Sequence, residues 1–217
     1  MKEYRYLFFD LDGTLTDSRE GIINCLVYAL KEMGFEVPED KEKFLGPSLY
    51  QSFSEFCGMD DEQVERAVKI FRGRYSDTGL FENRVYDGIE PMLGRLRDSG
   101  RELFVATSKP EPFAVRILEK FGLAHYFRFI GGANINGTRN RKQEVIEYVL
   151  VEAGISGREQ VLMIGDRCQD VNGAREAGIK CMGVLWGYGS QEELTESGAD
   201  YIAQTPQMLT DMLIGKE

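Results

Sequence analysis

Tyr6-Leu7-Phe8-Phe9 is a run of four apolar residues, three of them aromatic, and it leads directly into Asp10-Leu11-Asp12-Gly13-Thr14-Leu15. A short unbroken apolar run reads as a strand buried on both faces, the condition of a parallel sheet covered by helices. In an extended chain residues i and i+2 point to one side, so Asp10 and Asp12 share a mouth while Leu11 turns into the core. Like charges that close call for a cation. Gly13 allows a sharp exit from the strand, and Thr14 brings a hydroxyl and an amide to the turn. Carboxyl ends of parallel strands are also where open α/β sheets bind ligands.

The remainder of the chain falls into two textures. Residues 16–86 read as helix after helix. Asp17 or Ser18 caps a helix whose stripe is Ile22, Ile23, Leu26, Val27, Leu30 and Met33, ended by Gly34. After the break at Gly46-Pro47-Ser48, residues 49–57 are helical, and Asp60 starts a longer helix through Val64, Val68, Phe71 and Tyr75. From Asp87-Gly88 onward strands and helices alternate. Strands are expected at 103–106, 127–130, 161–164, 180–185 and 201–202. Helices are expected at 89–99, 110–121, 143–153, 169–177, 192–197 and from Pro206, with 131–141 a polar loop. Alternation of this kind predicts right-handed crossovers and a doubly wound parallel sheet, an α/β fold. The all-helical block cannot belong to that sheet, so residues 16–86 are expected to form an inserted cap, with residues 1–15 and 87–217 forming the core.

Length and charge narrow the function classes. The 217 residues suit one domain with a sizeable insertion, or two small ones. A net charge of −10 argues against a general binder of nucleic acid or acidic membranes, whose affinity rests on cationic side chains meeting phosphates. No apolar run approaches the ~20 residues needed to cross a bilayer, and the opening Met-Lys-Glu-Tyr-Arg lacks a signal-peptide core, so a cytoplasmic protein is expected. Cys25, Cys57, Cys168 and Cys181 are scattered without a C-x-x-C pair, which predicts reduced, mostly buried thiols and no zinc site.

Three further stretches sit where expected strands end. The strand 103–106 runs into Thr107-Ser108-Lys109-Pro110, placing a hydroxyl and backbone amides ahead of a helix N-terminus, an arrangement suited to a phosphate oxygen. Lys142 opens the helix after the polar loop, where a cation opposes the helix dipole and needs some other reason to be there. Arg139 and Arg141 stand nearby as alternatives. The strand 161–164 delivers Gly165-Asp166-Arg167-Cys168-Gln169-Asp170, a second acidic pair after a second apolar strand. His125, the single histidine, reads as structural, Cys168 as a small buried filler, and Trp186-Gly187-Tyr188-Gly189 as a packing loop that could border a site. Gly46-Pro47-Ser48, Arg72–Tyr75 and Glu82–Arg84 are the cap stretches that could face a substrate.

Together the four stretches resemble the signature motifs of the haloacid dehalogenase superfamily, in order and over essentially the whole chain. The closest likeness is to its capped, phosphoglycolate-phosphatase-like branch, which also contains bacterial 5′-nucleotidases. The resemblance implies a phosphatase acting on a small phosphorylated metabolite, with Asp10 as nucleophile and Asp12 as general acid and base. It implies that Thr107 and Ser108 bind phosphate, and that Lys142 holds nucleophile and phosphate together. The family's usual Lys-Pro-x-Pro is here Lys142-Gln143-Glu144-Val145. It also implies Mg²⁺ at Asp10, Asp12 and Asp166, with Asp170 in support. A phosphate dianion ~4 Å from a carboxylate meets repulsion of about 4 kcal/mol per charge pair at an effective dielectric near 20. Mg²⁺, which takes hard oxygen ligands such as two carboxylates, a backbone carbonyl and a phosphate oxygen, would cancel that repulsion with Lys142.

Alternatives are a β-phosphoglucomutase-like phosphotransferase, for which Glu-Asp would be expected in place of Gly165-Asp166, and a phosphorylatable signalling or silent binding module. In a receiver-type module the acidic pair and the phosphoacceptor lie on different strands, whereas here the leading pair contains the candidate nucleophile. Neither the natural substrate nor the oligomeric state is readable from the residues.

Overall fold

A computed structural model describes residues 4–135 and 138–215. The first three residues of the N-terminus and residues 136 and 137 of the polar loop lie outside the described residues. The elements are β1 (Tyr6–Phe9), β2 (Thr16–Asp17), α1 (Arg19–Glu32), α2 (Leu49–Gln51), α3 (Asp61–Arg74), β3 (Arg84–Val85), α4 (Ile89–Asp98) and β4 (Glu102–Pro110). They continue with α5 (Glu111–Lys120), β5 (Phe127–Ala133), α6 (Lys142–Glu152), β6 (Val161–Gly165), α7 (Cys168–Glu176), β7 (Lys180–Val184), α8 (Gln191–Glu196), β8 (Tyr201–Ala203) and α9 (Pro206–Ile214). The chain divides into two compact units, one of residues up to Asp17 together with Val85 onward, the other Ser18–Arg84. Strands β2 and β3, at the two points of division, pair with each other.

The first unit is a parallel six-stranded sheet in the order β5-β4-β1-β6-β7-β8 with helices packed against it. Leu7, Phe8 and Phe9 of β1 are fully buried, which is why this run carries no polar residue. Phe8 lies in register with Phe104 on one side and Met163 on the other, and all three pack with Val145 and Val149 of α6 and Val171 of α7. Burying side chains of this size contributes about 1.5–3 kcal/mol each. From central β1 the chain proceeds to β4 on one side and later to β6 on the other. The carboxyl ends of these three strands therefore flank the switch in strand order where α/β sheets open a crevice.

Two strands outrun their sequence reading. Strand β5 continues through Gly131-Gly132-Ala133, where a polar loop was expected, and β4 continues through Thr107 to Pro110. At Gly131 a Cβ would lie 2.4 Å from Val149 Cγ2, and at Gly132 2.6 Å from Lys109 O. These glycines mark close approach within a strand rather than its end.

The second unit is helical. Helix α3 begins with a capping box: Asp60 Oδ1 accepts from Gln63 N–H at 2.9 Å, and Gln63 Oε1 accepts from Asp60 N–H at 3.1 Å. Ser18 precedes α1 as expected, but its side chain makes no capping bond. The helix expected over 49–57 is one α-turn, capped by Ser48, followed by a wider π-turn, Ser52–Phe56. Helices α1 and α3 pack together. Gly21 and Gly79 let the chain close on itself here, since a Cβ on Gly21 would sit 2.0 Å from Gly79 O. Arg74 and Glu82, in stretches that could have faced a substrate, form a two-pronged ion pair at 2.8 Å, and Arg74 also donates to Cys25 Sγ at 3.0 Å. All four cysteines are free thiols; Cys25 and Cys181 are buried, Cys57 and Cys168 half-buried. Among the described residues no helix is long and apolar enough to cross a membrane.

Candidate active site

Asp10 follows β1 directly, and its N–H donates to Ile164 O of β6 at 2.9 Å, so the sheet ladder itself fixes where its side chain starts. Leu11 is fully buried, which turns Asp12 back toward the rim. Gly13 then takes a left-handed φ of 83°, and a Cβ there would fall 2.2 Å from Asp166 Oδ2. Both the turn and the space next to it demand glycine.

Asp166 leaves the end of β6 and is fully buried. Its Oδ1 accepts from the Thr14 hydroxyl at 3.0 Å and its Oδ2 from Tyr188 N–H at 2.8 Å. One turn further on, Asp170 is buried in the first turn of α7, accepting from Arg167 N–H at 3.1 Å. A Cβ at Gly165 would lie 2.2 Å from Asp170 Cγ, so that glycine makes the room Asp170 occupies.

Lys142 is the first residue of α6, and its buried ammonium lies 2.9 Å from Asp10 Oδ1 and 2.8 Å from Asp170 Oδ1 while donating to Ala106 O at 3.1 Å. The dipole of α6 disfavours a cation there, and two carboxylates and a strand-end carbonyl outweigh it. Gly173 of α7 packs on the lysine's stem, since a Cβ would approach Lys142 Cβ to 2.6 Å. The neighbouring arginines point elsewhere. Arg139 donates to Gly132 O and Glu111 and stacks over Tyr148, and Arg141 pairs with Glu176.

One carboxylate oxygen from each of Asp10, Asp166 and Asp170 lies within 4.8 Å of the other two. Burial, reinforced by the charges of Asp170 and Asp10, pushes the Asp166 carboxyl up to about 8. Burial likewise raises Asp170, against the pull of Lys142. Burial alone would depress the Lys142 ammonium, but Asp10 and Asp170 hold it above its ordinary value. Three carboxylates around one ammonium leave the cluster short of positive charge, and the donor set is all oxygen; both suit a hard divalent cation such as Mg²⁺.

Asp12, expected among the metal ligands, keeps its side chain out of this trio. Its Oδ2 forms an ion pair with Lys109 of β4, while its Oδ1 is buried without a hydrogen-bond partner among the described residues. Thr107 is buried, its hydroxyl accepting from Lys109 N–H at 3.2 Å, and Ser108 is exposed. The loop after β7 lines the site more closely than a packing loop would. Trp186 Nε1 donates to Thr14 O at 2.9 Å, Tyr188 N–H holds Asp166, and a Cβ at Gly187 would lie 2.3 Å from Gly13 O. The Gly187-Tyr188-Gly189 pattern after a strand was the available signal. Cys168, expected to be a buried filler, is half-buried, and its N–H donates to Glu193.

Residues 7–184 match the family of haloacid dehalogenase-like hydrolases. A 5′-nucleotidase of Pseudomonas aeruginosa is 44% identical over 193 residues, covering 88% of this chain and 87% of that protein. Tyrosine-protein kinase PtkA of Mycobacterium tuberculosis is 40% identical over 201 residues, covering 92% of this chain but 65% of the kinase. Among solved structures, a predicted phosphatase from Clostridium acetobutylicum superposes with a TM-score of 0.91 at 43% identity, over 96% of this chain and 97% of that one. With a parallel α/β core, an inserted helical cap and clustered strand-end aspartates, the chain belongs to the haloacid dehalogenase-like hydrolases, in their phosphoglycolate-phosphatase-like and 5′-nucleotidase-like branch of phosphatases.

Proposed function

We propose that this phosphatase hydrolyses a small phosphate monoester of the phosphoglycolate or 5′-nucleotide type through an aspartyl-phosphate, with Mg²⁺ as cofactor. The observation that carries the reading is the separation of two acidic groups: Asp10 sits with Asp166, Asp170 and Lys142, while Asp12 is held apart by Lys109.

Asp10 attacks phosphorus in line, the ester P–O bond breaks, and the departing oxygen takes a proton from Asp12. Asp12 then takes a proton from water as that water attacks the aspartyl-phosphate. The bond between phosphorus and Asp10 breaks, releasing inorganic phosphate and restoring both aspartates. Lys142 keeps Asp10 in place and offsets charge on the transferring group. The Thr107 hydroxyl and Ser108 donate to the phosphate oxygens. Asp10 and Asp166, with the main chain of Asp12, would hold Mg²⁺, and Asp170 supports the site through Lys142. When bound, the metal would neutralise the phosphoryl charge against the carboxylates.

The test is inorganic phosphate release from phosphoglycolate, 5′-nucleotides and sugar phosphates, with Mg²⁺ and with EDTA. Steady Mg²⁺-dependent release from one of these classes is expected. The relationship to PtkA supplies the competing outcome: label from ATP appearing on protein tyrosine, with no phosphate released from any small ester, would overturn the reading.

A stability prediction follows from Asp166. Its folded carboxyl is raised from 3.8 to about 8, so between those values the folded state binds a proton that the unfolded chain has released. The contribution of Asp166 to the stability of the metal-free protein is therefore fully present below about 3.8 and is lost as pH rises through that window. Between pH 5.5 and pH 8 the loss is on the order of 3 kcal/mol, a drop of roughly 6–12 °C in Tm. Melting in EDTA at the two pH values measures it, and MgCl₂ should raise Tm more at pH 8 than at pH 5.5.

A further inference from the structure

Asp12 has a proton to deliver, and a neighbouring group must aim it. We infer that Lys109 is a positioning residue for Asp12, holding one carboxyl oxygen so that the other meets the leaving-group oxygen; this rests on the reading of Asp12 as the general acid.

Lys109 belongs to the irregular end of β4. The pairing of β4 with β5 shifts register between Thr107 and Pro110, and within that stretch Lys109 N–H folds back onto Thr107 Oγ1 at 3.2 Å. Its carbonyl is pinned from the other side, because Gly132 approaches so closely that a Cβ there would lie 2.6 Å away. With the backbone held at both ends, the side chain reaches the loop after β1, the neighbouring strand, and pairs with Asp12 Oδ2. Only 6% of the Lys109 side chain is exposed. A lysine that buried, with a flexible four-carbon stem, is kept there by its charge partner rather than by solvent.

The consequence for Asp12 lies in its two oxygens. Oδ2 is taken by the ammonium, and Oδ1 is buried with no hydrogen-bond partner among the described residues. Buried carboxylate oxygens are nearly always satisfied, so an exception at a reaction centre reads as a position kept for a ligand atom. The two lysines thus divide the acidic groups. Lys142 serves Asp10 and Asp170, and Lys109 serves Asp12. Without Lys109, Asp12 would be free to swing toward Lys142 or solvent, and a displacement of about 1 Å can cost ~10²-fold in rate.

Loss of a general acid has a signature that loss of structure lacks. The value of kcat/KM reports events through the first phosphoryl transfer, where an alkoxide needs protonation and a 2,4-dinitrophenolate does not. Lys109→Met is expected to lower kcat/KM for an alkyl phosphate by ~10²-fold while leaving that for 2,4-dinitrophenyl phosphate within a few-fold of wild type. Lys109→Arg should recover much of the alkyl-phosphate rate. Asp12→Asn serves as reference and should show the same split. If Asp12→Asn shows it and Lys109→Met lowers both substrates equally or neither, the positioning role is wrong while the acid assignment stands. If Asp12→Asn shows no split, the acid assignment itself is wrong and the role of Lys109 goes with it. Melting temperature checks that Lys109→Met folds, and Lys109→Gln reads the same ratio should it not. Failure of both neutral variants to fold would mark Lys109 as structural and overturn the proposal.

Discussion

Asp10→Asn should abolish turnover while leaving a folded, cooperative protein. The substitution preserves shape but removes the attacking oxygen anion, and enzymes that lose their nucleophile lose on the order of 10⁴–10⁶ in kcat. Its effect on stability should be slight or favourable in metal-free buffer. Asp10 is one of the charges that raise Asp166 and Asp170, and removing it relieves a cluster already short of cations. The measurements are phosphate release under saturating substrate and Mg²⁺, a thermal melt in EDTA, and intact-mass detection of a phosphorylated protein after rapid acid quench. A phospho-adduct on wild type that is missing from the variant, with kcat below ~10⁻⁴ of wild type, is the expected result. A variant keeping more than about a hundredth of the activity, far above the residue that nucleophile loss leaves, would remove Asp10 from the nucleophile's role.

Lys142→Met carries the second large effect, and it differs in kind because both activity and stability should fall. The methionine fills the space of the stem but leaves Asp10 and Asp170 facing each other and Asp166 without the one ammonium that touches two members of the trio. Breaking a buried pair from one side costs about 3–5 kcal/mol, a fall in Tm of roughly 6–20 °C, and kcat should drop by ~10²–10³-fold or more. The loss in Tm should be larger at pH 8 than at pH 5.5, because protons can substitute for the missing cation only where the raised carboxyls still bind them. A double variant with Asp170→Asn distinguishes the two effects. It should regain part of the lost Tm, since one orphaned charge is gone, but none of the lost kcat. Unchanged melting and turnover in the single variant would mean that the Lys142 contacts carry neither stability nor catalysis.

Several elements were legible in the chain because they rest on local chemistry. Unbroken apolar runs such as Tyr6–Phe9 and Val161–Ile164 suit strands of a covered parallel sheet, and aspartates immediately after such strands emerge at its carboxyl edge. Lys142 drew notice because its charge is wrong for its place on a helix, and that misfit survives until two carboxylates from other elements are brought to it. What escaped depends on pairings that no periodicity encodes. The Lys109–Asp12 pair needs the register shift at the end of β4, and the role of the Trp186–Gly189 loop needs Thr14 and Asp166 to arrive beside it from far away in sequence. Gly131 and Gly132 misled in the opposite direction, since a glycine that breaks a strand and one that admits a neighbour are spelled alike.

At Gly13, Gly165, Gly173 and Gly187 the space a Cβ would need is taken by Asp166, Asp170 or Lys142. Alanine, ordinarily the mildest replacement, is therefore the harsh one at all four places, because the added carbon would land on a buried side chain or, at Gly187, on the Gly13 carbonyl as well. The reaction centre is moulded by omissions in its lining, and those bare positions are as constrained in identity as the charged groups they shelter.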